Sequence, residues 1–146
     1  MSNASSNYLE VEVLDHVLGK GTRDFTSPAN LYVALFNNTS GNAATNLEAG
    51  TLTDEVSTSG TAYARKAVTF AAATNVGGTS SAATSTTATF DTATASWGTV
   101  THVAVMDSGS AGSGNVLFWG ALTVSKTVDT GDTFQISSGN LTVSLS

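Results

Sequence analysis

The sequence predicts a mainly β fold, a β-sandwich or jelly-roll-like domain with one short N-terminal α-helix. Several short runs rich in Val, Thr, Phe and Trp are separated by Gly, Asn and Asp turns, as in sandwich folds. A single stretch near the start carries apolar residues at helical spacing. Charged residues make up only 11% of the chain, well below the roughly 25% of an average soluble domain. Thr, Ser, Ala and Gly fill the gap, and they suit small, half-buried strand positions and turns.

At 146 residues the chain reads as one domain, with a docking helix over 1–20 and a sandwich over 30–146. "NYLEVEVLDHVLGKG" is the helix. Asn7 is placed to cap it, with Glu10 three residues on as in a capping box. Tyr8, Val11, Leu14 and Leu18 form its apolar stripe, and Gly19 or Gly21 can end it. So short a helix must dock its stripe on something, either this domain's sheet or a neighbouring subunit.

After Pro28 the period changes. "NLYVALFN", 30–37, is apolar on both faces and reads as a strand buried on both sides. Residues 38–60 are polar and turn-rich, and read as a long surface loop. "TAYARKAVTF", 61–70, returns to strand, with Arg65–Lys66 as a solvated strand end. Residues 71–89 are low in complexity and read as an irregular excursion inside the domain, closing on a short strand at 87–90. "VTHVAVMD", 100–107, and "VLFWGAL", 116–122, read as a hairpin across the loop "SGSAGSGN". "TVDTGDTFQI" reads as strand, turn, strand, and "LTVSL" as a last strand with Leu141, Val143 and Leu145 inward.

Composition excludes several function classes. The net charge of −6, with no Lys or Arg cluster, would repel a phosphate backbone, so no nucleic-acid partner is expected. The absence of cysteine removes disulfides, thiolate nucleophiles and Cys zinc sites together. No apolar stretch approaches the ~20 residues of a membrane helix, and no signal peptide is read at the N-terminus.

The motifs that suggest chemistry have simpler explanations. "DTG" at 129–131 matches the aspartic-protease triplet, but that chemistry needs two carboxylates sharing a proton, and Asp132 adds another charge. A β-turn accounts for it. His102 and His16 have no third His or Cys to complete a metal site, and no H-E-x-x-H spacing occurs. By strand alternation His102 shares a face with Val100, Ala104 and Met106, as a partly buried histidine bonded to a backbone or hydroxyl group. No G-x-S-x-G or P-loop is present. No catalytic, cofactor or metal residues are therefore assigned. Trp97 and Trp119 read as core or interface anchors, with an exposed sugar-binding platform as the alternative.

The order "NYLEVEVLDHVLG", "SPANLYVALF", "TAYARKAVTF", "TATASWGTVTHVAVMD", "GNVLFWGALTVSKTVDTGDTF" and "GNLTVSL" resembles small tailed-phage structural proteins commonly labelled phage tail fibre proteins. The likeness spans nearly the whole chain, with "TAYAR" where typical members have "GYAR". It implies a non-enzymatic virion component on the particle exterior, without a cofactor. Its mechanism would be assembly on identical copies or on other virion proteins, tail or major capsid. A tail or fibre-associated subunit leads this reading. A capsid cement or decoration protein is the close alternative, and a carbohydrate-binding module the one from another class. The only Pro is Pro28, and no Lys or Arg occurs between 67 and 125. Sheet edges with so little charge point to protection by a neighbour, hence a homo-oligomer, with a trimer suiting a fibre axis.

Overall fold

The computed structural model describes residues 4–21 and 25–145. The fold is mostly β, with antiparallel sheets and an N-terminal helix. Strand β1 (Ala4–Ser5) leads into helix α1 (Asn7–Leu18), then β2 (Leu31–Phe36), helix α2 (Ala43–Glu48) and β3 (Lys66–Val68). The hairpin β4 (Thr74–Val76) and β5 (Thr79–Ala83) follows, then β6 (Ala88–Thr89), β7 (Gly98–Met106), β8 (Val116–Val128), β9 (Gln135–Ile136) and β10 (Thr142–Leu145). The main sheet has the order β1-β8-β7-β2-β3. Two small sheets, β10-β5-β4 and β6-β9, complete the β structure.

β2 is buried on both faces, as its sequence requires. Val33 and Leu35 enter one core with Val103 and Val105 of β7 and with Phe90, Phe134 and Leu141 from the small-sheet side. Ala34 and Phe36 enter a second core with Ala104 and Met106, roofed by Leu47 of α2. Tyr63, Phe90 and Trp97 meet ring on ring in the first core, with centroids 5.5–6.1 Å apart. That geometry adds to what area burial alone supplies.

Several elements depart from the sequence reading. The helix is capped by Ser6, not Asn7: Ser6 Oγ accepts from the Leu9 amide at 3.3 Å and donates to the Val116 carbonyl. Ser6 wins because β1 pairs with Phe118 and Trp119 and so holds that residue against β8. Gly19 closes the helix with φ +67°, and Lys20 N–H returns to the Asp15 carbonyl, a left-handed termination that glycine makes without strain. The 38–60 loop contains α2, whose only buried side chains are Ala43 and Leu47, too few to register as a period. The 71–89 excursion is a hairpin turned by Gly77 and Gly78, both at positive φ. Its strands are Thr, Ser, Ala and Asn with Val76 alone as a large apolar residue, so no apolar alternation announces them. The 61–70 segment joins the main sheet at Lys66–Val68 and adds an isolated bridge from Phe70 to Thr84. "TVDTGDTFQI" is strand, turn, strand as read: β8 ends at Val128, Asp129–Asp132 turns, and β9 follows, paired with β6 in a separate sheet.

A bulge separates Val100 from His102. Val100 pairs with Lys126 and His102 with Ala121, so Leu122–Ser125 of β8 face Thr101 alone. This shifts the alternation of β7: Val100 enters the first core, while Ala104 and Met106 enter the second. The expectation that Val100 shares a face with His102, Ala104 and Met106 is thereby corrected. Among the described residues, β1 pairs with β8 at Phe118 and Trp119.

Candidate functional site

α1 rests on β8 through few contacts. Leu9 is its one buried side chain. Val11 and Leu14, each 57% exposed, and Leu18 at 67% face outward, with Tyr8, Val13 and Val17 also exposed. The stripe expected to need a partner therefore faces away from the sheet of its own chain. Glu10 accepts from Ser5 Oγ at 2.9 Å, which ties the first turn to β1 instead of closing a capping box.

Beside the helix lies an apolar trough of about 600 Å³, walled by Val13 and Leu14 on one side and by Phe25, Pro28, Phe118 and Leu145 on the others. It adjoins a second hollow of about 260 Å³ next to the β4–β5 hairpin, with Phe118 and Leu145 common to both. Leu145, expected inward with Leu141 and Val143, is exposed at this rim. The trough residues come from both ends and the middle of the chain. Sequence reasoning named Leu14 as a docking residue but missed that it meets Phe25, Pro28, Phe118 and Leu145, because only the fold brings them together.

The two tryptophans diverge. Trp97 is 3% exposed, and its indole N–H donates to the Thr61 carbonyl at 2.8 Å. With its ring enclosed it is a core residue and offers no platform to a sugar. Trp119 is half-buried and donates to Glu48 Oε2 at 2.8 Å, which staples α2 to the sheet.

His102 Nδ1 lies 2.8 Å from Thr101 Oγ1, and its ring sits 6.2 Å from that of Trp119. Burial pushes its pKa below the ordinary value, against a smaller opposite pull from Asp54. It is thus a partly buried histidine bonded to a hydroxyl, as the sequence suggested. Asp54 is buried beneath the start of α2. Burial raises its pKa, but hydrogen bonds from Ser40, Asn46 and Thr39 outweigh that and hold the carboxyl below its usual range. Among the described residues no group of three His, Cys, Asp or Glu side chains is placed to hold a metal ion. No helix among them is long and apolar enough to cross a membrane.

Arg65 is not solvated. Its guanidinium makes a two-pronged ion pair with Glu55, at 2.7 and 2.8 Å, and donates to the Ser108 and Ser113 carbonyls. Glu55 also accepts from Tyr63 Oη and from the Gly112 amide. Burial and the Glu55 charge push the Tyr63 phenol far above its ordinary pKa. The cluster fastens the Gly/Ser-rich β7–β8 loop from below. Only Lys66 behaves as a strand-end cation, bonded to Asp91 at 2.8 Å.

An antiparallel β body whose buried polar clusters serve its own loops, with a bare apolar helix at one end, is built as a structural protein. The chain belongs to the family described as podophage GP4 fiber I protein gp80, whose family model matches residues 4–144. It is accordingly a non-enzymatic bacteriophage fibre protein, a part of the virion that associates with other virion proteins. No curated protein matches the chain significantly.

Proposed function

We propose that the chain is a tail-associated fibre subunit on the particle exterior, folded as one domain, and that it joins the virion by docking the face of α1 formed by Tyr8, Val11, Leu14 and Leu18. The observation that carries this reading is the outward direction of that face. A helix stripe normally turns to the core of its own domain, and here only Leu9 does so. The fibre family supports the placement on the tail over the capsid shell.

Leu14→Asp tests the reading. Leu14 is more than half exposed, so in dilute protein the variant should fold with a wild-type circular dichroism spectrum and melting temperature. It should be missing from assembled particles. Particles that take up the variant at wild-type levels would refute docking through this face. Electron-microscopy density for the wild type at the tail supports the placement; density coating the icosahedral shell would replace it with a cement role.

A further inference from the structure

We propose that the α1 face receives a second copy of this chain, with the two α1 helices packed antiparallel about a two-fold axis. This rests on the reading of α1 as the docking face and adds the partner and its orientation. Three observations carry it.

The first is spacing. Val11, Leu14 and Leu18 recur at three and four residues, the seam of a seven-residue repeat, and all three are more than half exposed. Asn7 occupies the preceding seam position.

The second is area. Five of the exposed apolar side chains of α1, Tyr8, Val11, Leu14, Val17 and Leu18, present a patch on the order of 500 Å², at the upper end of what a soluble monomer leaves bare. Leu14 is also a wall of the 600 Å³ trough, so the patch continues into a second apolar surface. Together they approach the roughly 800 Å² that each partner gives to a standard interface.

The third is charge, and it selects the orientation. Tyr8 and Asp15 flank the seam on one side, Glu10 and Val17 on the other. In a parallel pair or trimer, each position on the Glu10 side faces one on the Asp15 side of the next helix. Glu10 would then meet the second copy's Asp15 at every interface, acid against acid. In an antiparallel pair, like sides face each other. Glu10 then meets the second copy's Val17, and Tyr8 meets its Asp15, with no like-charge contact. The seam layers become Val11 on the second copy's Leu14, twice, and Leu18 on its Asn7, twice. A two-fold makes one patch serve both partners, so no complementary surface elsewhere is required.

The chain has no cysteine, so introduced thiols report contacts without background. Val11→Cys and Leu14→Cys are purified separately as full chains and oxidised in a glutathione buffer, alone and mixed. The expected result is a disulfide-linked heterodimer of the two variants on mixing, with neither variant linked to itself. The wild type should sediment as a dimer, and Leu14→Asp should weaken that association on the order of 30-fold. Self-linkage of Val11→Cys alone would show a parallel arrangement and overturn the proposal. A wild type that stays monomeric at high concentration, with no cross-link on mixing, would also overturn it. If Leu14→Asp is still lost from particles in that case, the helix docks on a different virion protein and the docking reading stands without the dimer.

Discussion

The two helices make a useful contrast. α2 has six residues and one large apolar side chain, Leu47, which is fully buried over Ala104 and Met106. Its surroundings are locked: Trp119 bonds Glu48, Asp54 bonds Asn46, and the chain beyond passes into the Glu55–Arg65 ion pair. α1 has twelve residues and six large exposed apolar side chains, but buries only Leu9. The helix that is obvious in sequence is the one its own fold leaves bare; the helix that is invisible in sequence is the one the fold encloses. Amphipathic pattern says that a surface will be covered. It does not say by which chain.

The contrast can be broken most forcefully at the end of the enclosed segment. Arg65→Met removes one partner of a buried ion pair and leaves the Glu55 carboxylate without its main neutralising group. Urea unfolding should show a loss of about 3–5 kcal/mol. A change below ~1 kcal/mol would mean that water reaches Glu55 and that the β7–β8 loop is not held as described.

A matched pair of leucines sharpens the comparison. Leu47→Ala should cost about 2–5 kcal/mol at any protein concentration, because it empties a closed core position. Leu14→Ala should stay within ~0.5 kcal/mol in dilute protein, as exposed substitutions do. Its cost should grow with concentration as the wild type, but not the variant, gains from association. Equal costs for the two at high dilution would show that α1 is packed within its own chain.

The smallest effects are in pH. Asp54 has a folded pKa below its unfolded one, so its stabilisation is complete above the ordinary carboxylate value of ~3.9 and is lost as pH falls through the lower, folded pKa. Asp54→Asn should flatten that acid limb of a melting-temperature profile. His102 is also depressed, so its neutral form favours the fold and stability should decline as pH falls below ~6.5. His102→Gln should remove this shallow step while leaving the acid limb in place. If the step persists in His102→Gln, another group is responsible.

The sequence by itself determined the elements with strong local signals. β2 declared itself by being apolar at every core position, the β7–β8 hairpin by β-branched runs across a Gly/Ser loop, and α1 by its spacing and by Gly19. The Asp129–Asp132 turn and the hydroxyl bond of His102 were legible for the same reason, since their partners lie next to them in the chain. Only the tertiary structure decided what depends on distant partners. It chose Ser6 over Asn7 as the cap, because β8 lies alongside Ser6. It buried Arg65, because a carboxylate ten residues away and a loop more than forty residues away converge on it. It moved Val100 across the sheet, because four residues of β8 bulge opposite one of β7. It also enclosed Trp97 and exposed the α1 stripe, two outcomes that hydrophobicity alone does not separate. Apolar residues leave water wherever a surface is available, and which surfaces are available is a property of the assembled fold, not of the local chain.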